Sequence, residues 1–155
     1  MTRAPKAPKL TERALSAQIQ RLFALADCMV YSSEQGYRKE PGGTRSTPGQ
    51  ADLLVFAPLW TRKLAPDSPV GFFEVKTPAG LKEHHRLAPL SAPPTAGQMK
   101  AWRKVRGQAA FAALCRARGI PYGIGGVDEA WMFLESVGLA RRDASGQYLL
   151  VKGAR

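Results

Sequence analysis

Two short apolar runs, each bounded by an acid, constrain this chain more than any other feature. Leu53-Leu54-Val55-Phe56 follows Asp52, and Val70-Gly71-Phe72-Phe73 leads into Glu74-Val75-Lys76. Their length and residue types predict strands over 52–56 and 70–76, joined by a turn-rich connection from Pro58 to Pro69. Side chains alternate along a strand, so Glu74 and Lys76 point one way while Phe73 and Val75 point the other. A carboxylate and an ammonium thus share one face of an otherwise apolar strand. Such charges are costly to bury unless they are paired or hold a metal, which makes Asp52, Glu74 and Lys76 a candidate site.

The surrounding pattern places helices around these strands. Leu15, Ile19, Leu22, Phe23 and Ala26 form the stripe of a helix that Thr11 caps. Glu12 falls in its first turn, on the inward side, where an acid also complements the helix dipole. Met29-Val30-Tyr31-Ser32 reads as a short strand, and Glu34 to Ser46 as a loop whose Arg38, Lys39 and Arg45 are solvated or meet phosphates. Leu81 to Pro94, with its prolines, reads as a further loop in which His84 and His85 are solvated, the alternative being metal ligands or a general base.

A second helix is expected from about Ala96 to Ala117, capped by Thr95 and ended by Gly119 with Pro121 just beyond. Met99, Trp102, Val105, Ala109 and Ala112 make its apolar stripe, so Trp102 reads as core. Lys100, Arg103 and Lys104 lie on another face. From Gln98 to Arg118 there are six basic residues and no acidic one. Like charges at this spacing repel, which makes a phosphate-binding face a better reading than a merely solubilising one. Tyr122 to Ile124 then reads as a strand, Gly125-Gly126 as a turn, Asp128 as the cap of a helix through Glu135, and 147–151 as an edge strand. The order of elements predicts an α/β sandwich with a mixed sheet.

At 155 residues the chain is expected to make one domain over 11–155, behind a flexible basic arm at 1–10. Twenty-three Lys and Arg against twelve Asp and Glu leave a formal charge of +11, which calls for a polyanionic partner. Charge alone leaves DNA, RNA and an anionic membrane surface open. No apolar run approaches the roughly 18 residues of a membrane span, and the first residues lack the apolar segment of a signal peptide. The expectation is an intracellular, cytoplasmic protein that does not enter a membrane. Cys28 and Cys115 stand alone, without metal-ligand spacing, and read as reduced and packed.

Asp52 with Glu74-Val75-Lys76 resembles the PD-(D/E)xK nuclease superfamily, whose members share a restriction-endonuclease-like core. The wider string resembles the virus-type replication and repair (VRR-NUC) branch. Its elements are Thr47-Pro48-Gly49-Gln50-Ala51-Asp52, then Glu74-Val75-Lys76-Thr77-Pro78-Ala79-Gly80, then Thr95-Ala96-Gly97-Gln98 with Trp102, and coverage runs from about Glu12 to Val127. The family usually has a proline before the aspartate, where this chain has Ala51.

The resemblance implies a central mixed β-sheet flanked by helices and a metal-dependent endonuclease that hydrolyses DNA phosphodiesters. It favours branched DNA such as four-way junctions, cut by paired subunits. It implies Asp52 and Glu74 as metal ligands, the Val75 carbonyl as a third, and Glu12 as one acting through water. Oxygen ligands without a cysteine cluster point to Mg²⁺ or Mn²⁺. Lys76 would orient or deprotonate water or stabilise the pentavalent oxygens, and Gln98 would bond Lys76 or the phosphate. A nucleic-acid-binding module with a vestigial site, or an RNA nuclease, fits the same residues.

Overall fold

The computed structural model describes residues 11–32, 51–58 and 70–152. Helix α1 (Glu12–Leu25) is capped by Thr11, whose Oγ1 accepts the Ala14 N–H at 3.2 Å. It buries the predicted stripe of Leu15, Ile19, Leu22 and Phe23. Strands β1 (Met29–Ser32), β2 (Leu53–Phe56) and β3 (Val70–Val75) follow, then helices α2 (Pro78–Leu87) and α3 (Met99–Ala117). Strand β4 (Tyr122–Gly125) and helix α4 (Val127–Ser136) complete the main body, and strands β5 (Ala140–Arg142) and β6 (Tyr148–Leu150) make a small hairpin.

The first four strands form one mixed sheet in the order β1-β2-β3-β4. β1, β2 and β3 are successively antiparallel, with Leu53 opposite Phe73, whereas β4 runs parallel to β3, with Gly125 opposite Val75. The sheet is therefore flanked by helices as the alternation of elements predicts. Leu53, Val55, Phe73 and Val75 join the core formed with α1 and α4, where the rings of Phe23, Phe73 and Phe133 meet at 5.5–5.8 Å. On the opposite face Phe72 meets Phe111 of α3 at 5.0 Å, edge to face. Glu74, two residues on from Phe72, shares that face. The core is too tight beside β4 for any side chain at Gly123, where a Cβ would lie 2.6 Å from Phe73 Cδ2.

Four local expectations change. The stretch read as a loop from Leu81 begins as helix α2: Thr77 Oγ1 accepts the Gly80 N–H at 3.2 Å, and Pro78 sits in the first turn, where it has no helical partner to lose. Its prolines 89, 93 and 94 come after the helix. Thr95 precedes a 3₁₀ turn (Ala96–Gln98) rather than capping α3 directly. Gly126, not Asp128, is the N-cap of α4, with its N–H donated to Glu129 Oε2 at 2.8 Å. The C-terminal strand pairs with β5 in its own two-stranded sheet, not with the edge of the main one.

The other boundaries follow the sequence. α3 ends where Gly119 takes a left-handed φ of 66°, with Pro121 beyond it. Trp102 is half-buried and donates its Nε1–H to the Leu90 carbonyl at 3.0 Å, which pins the segment after α2 to α3. Cys28 and Cys115 are both buried free thiols. No described helix is long and apolar enough to cross a membrane. The predicted basic arm at 1–10 and the loop residues Arg38, Lys39 and Arg45 lie outside the described residues.

Candidate active site

The site forms where β2 begins and β3 ends. Antiparallel pairing of the two strands puts the residue before Leu53 beside the residues after Phe73. Asp52 Oδ2 accordingly accepts the backbone N–H of Val75 at 2.9 Å. Glu74 is 1 % exposed, and its Oε1 accepts from Lys76 Nζ at 2.6 Å, with Lys76 itself 9 % exposed. The shared face read from the strand alternation is thus a buried ion pair. The Lys76 N–H donates to the Gly125 carbonyl at 2.8 Å, so the backbone of β4 fixes the lysine's place.

Burial governs the electrostatics. It pushes the Asp52 carboxyl above its ordinary range, and Glu12 adds to the push, while the Val75 N–H, Lys76 and Lys104 oppose it. The Glu74 carboxyl is also raised, first by burial and then by the charge of Asp52, against Lys76 and Lys104. The two carboxylates therefore repel in a desolvated place, and the nearby cations do not fully offset them. Glu74 Oε2 is buried without a hydrogen-bond partner among the described residues.

Two clefts adjoin these residues. One of about 860 Å³ runs from Asp52 and Val75 along α1, past Glu12, Arg13 and Gln20. The other, about 550 Å³, is bordered by Lys76, Lys82, His85 and Glu129. Glu12 thus stands in the same cleft as Asp52, exposed at the start of its helix. Lys100, Arg103 and Lys104 are exposed on α3, and Lys104 is near enough for its charge to act on both Asp52 and Glu74.

Of the two roles expected of Gln98, the bond to Lys76 is not made among the described residues. Gln98 Oε1 lies 3.4 Å from Thr95 Oγ1, and the glutamine at the carboxylates is Gln108, whose Nε2 donates to Glu74 Oε1. Gln108 is 2 % exposed, on the face of α3 that also buries Val105 and Cys115. A polar residue three positions after Val105, inside an apolar stripe, was the signal that could have found it. His84 is buried at 8 % exposure rather than solvated, whereas His85 is exposed. Tyr122 adds a buried hydroxyl with no partner among the described residues, held protonated by burial and by the nearby Glu74.

Among the described residues no group of three or more His, Cys, Asp or Glu is arranged to hold a metal ion. The two carboxylates brought together are those of Asp52 and Glu74, and the buried Glu74 Oε2 is the atom that a hard divalent ion would satisfy, its other positions going to water or substrate oxygens. The sequence matches no family model, no curated protein and no solved structure.

Proposed function

We propose that this chain is a divalent-metal-dependent DNA endonuclease of the restriction-endonuclease-like class, similar to the VRR-NUC branch. One observation carries the reading: Asp52 and Glu74, both desolvated, with the charge of Asp52 adding to the cost of charging Glu74, stand beside Lys76 where β2 begins and β3 ends. A structural ion pair would not need the second acid. Removing Asp52 would leave Glu74 and Lys76 matched, so the extra carboxylate is a cost that a bound cation would reverse.

Asp52, Glu74 and the Val75 carbonyl, with Glu12 through water, would hold Mg²⁺ or Mn²⁺, which supplies acidification of water and neutralisation of phosphoryl charge. The chain's own groups do the rest. Val75 N–H fixes the Asp52 carboxylate, and Lys76 fixes that of Glu74. As the oxygen of a water bonds to phosphorus, the bond from phosphorus to the leaving sugar oxygen breaks. The water's proton passes to solvent, and the departing oxygen takes one up. Lys76, already an ion-pair cation, serves this step by stabilising charge on the phosphoryl oxygens rather than as a base. Lys104, with Lys100 and Arg103 beside it on α3, holds the flanking phosphates.

The same reading makes the protein a DNA-repair hydrolase of the cytoplasm acting on branched DNA as a homodimer, since a two-fold pair aligns two basic faces on a junction that needs two cuts. The test is a panel of four-way junction, linear duplex and RNA of matched sequence, with particle mass measured in parallel. Junction cleavage by a species of twice 16.8 kDa is expected. Equal cleavage of linear duplex by a monomer would remove the junction and dimer parts. Preference for RNA would change the substrate class, and binding without cleavage would leave a binding module.

A further inference from the structure

His84 has no part in the chemistry above, yet it is buried on α2 against the site. Helices α2 and α3 pack together there, and Gln108 of α3 is the side chain whose hydrogen bonding bears on the His84 ring. A primary amide is nearly symmetric in shape, but its two ends are opposite in sense: Nε2 donates and Oε1 accepts. Gln108 presents Nε2 to Glu74 Oε1. Turned over, it would set a carbonyl oxygen against a buried carboxylate and repel it. Shape does not prevent that turn, so a hydrogen-bond partner at the other end must.

The atoms left over identify the partner. Among the described residues Gln108 Oε1 and His84 Nδ1 are both buried and both without a hydrogen-bond partner, one an acceptor and the other a ring nitrogen able to carry a proton. We propose that His84, as the Nδ1–H tautomer, donates to Gln108 Oε1 and thereby locks the amide with Nε2 on Glu74, making His84 and Gln108 a positioning pair for that carboxylate. Glu74 Oε1 is then held by two donors, Lys76 and Gln108, and Oε2 is the oxygen left for a cation. The role of the pair in metal binding rests on the proposed nuclease site, whereas the pair itself does not. Neighbouring charges agree with a neutral ring: burial, then Lys76 and His85, disfavour the imidazolium, while the bond to Gln108 favours it.

The tautomer is read directly from long-range proton–nitrogen correlations of the full chain without metal. An Nδ1–H ring is expected. An Nε2–H ring would overturn the pair, whatever the metal does.

Mn²⁺ affinity by calorimetry is the second readout, measured on the parent, His84→Leu, Gln108→Leu and His84→Asn. Loss of either member is expected to weaken Mn²⁺ binding about 10- to 100-fold, as for other groups that orient a metal ligand. Cleavage should lose kcat with KM for DNA unchanged, and the double Leu variant should be no worse than either single. His84→Asn, which keeps an N–H near the Nδ1 position, should recover most of the loss. Folded His84→Leu with parental Mn²⁺ affinity, or His84→Asn no better than His84→Leu, would overturn the positioning role. A parent that shows the Nδ1–H ring but binds no Mn²⁺ would sink the metal-site reading and leave the hydrogen-bonded pair standing.

Discussion

The backbone N–H of Val75 donates to Asp52 Oδ2 at 2.9 Å, joining residues 23 apart in the chain and setting the first acid of β2 against the end of β3. An amide oxygen can accept that bond as well as a carboxylate can, without the charge that Glu74 and Glu12 oppose. Asp52→Asn is therefore expected to hold or raise the melting temperature of the metal-free protein. Asp52→Leu, which strands the Val75 N–H, should lower stability by about 1–3 kcal/mol in urea titration. Equal stability of the two variants would show that the bond does not organise the site.

Lys76 is ion-paired with the buried Glu74, beside the half-buried Asp52. Taking it away leaves Glu74, 1 % exposed, with an uncompensated charge. Lys76→Met should cost about 3–5 kcal/mol at neutral pH, the usual penalty for breaking one side of a buried pair. Saturating Mn²⁺ should return part of that loss, because an ion bound by the folded state alone stabilises it by mass action. Chemical denaturation with and without Mn²⁺ checks both statements, and a variant as stable as the parent would contradict them.

Binding to DNA should weaken steeply with salt, since each phosphate neutralised releases counterions. Lys104 is exposed yet acts on both carboxylates, with Lys100 and Arg103 on the same helix. Replacing all three by Gln is expected to reduce the slope of log affinity against log salt by up to about three. Titrations at several salt concentrations in the absence of metal measure it. An unchanged slope would move the phosphate contacts off α3.

Cys28 supplies a pH dependence away from the site. Burial, and then the charge of Asp27, push its thiol from 9.0 up to about 12. The folded state therefore favours the protonated thiol, and the unfolded chain ionises first. Its contribution to stability is present in full below pH 9.0 and is lost as pH rises through about 12. Native protein at pH 9 should resist alkylation at Cys28 and react rapidly once urea unfolds it. Alkylation at Cys28 at the unfolded rate in native buffer would contradict this.

The strand alternation that set Glu74 and Lys76 on one face was readable because a period of two needs no tertiary information. The same holds for the α1 stripe from Leu15 to Phe23, which lands on the core unchanged. Which glutamine meets Glu74, Gln98 at the N-cap of α3 or Gln108 within the helix, was not readable in this way. Gln98 and Gln108 are ten residues apart, about 80° apart around a helix, and only the docking of α3 on Phe72 and Tyr122 decides between them. α2 was hidden by the prolines just beyond it, Pro89, Pro93 and Pro94, although Thr77-Pro78 is a start signal and Leu81, His84 and Leu87 repeat at helical spacing. Reading that spacing would have turned His84 inward.

Nicking of supercoiled plasmid DNA by the full chain in Mg²⁺, Mn²⁺ or EDTA tests the central claim most directly, with the double variant Asp52→Asn, Glu74→Gln as the partner sample. The parent should nick with either ion and not with EDTA. The double variant should be slower by at least about a hundredfold while still binding DNA, because its lost ligands act mainly on the transition state. A folded double variant that nicks at the parental rate, or parental nicking that persists in EDTA, would contradict the assignment of Asp52 and Glu74 as the metal-binding heart of a nuclease.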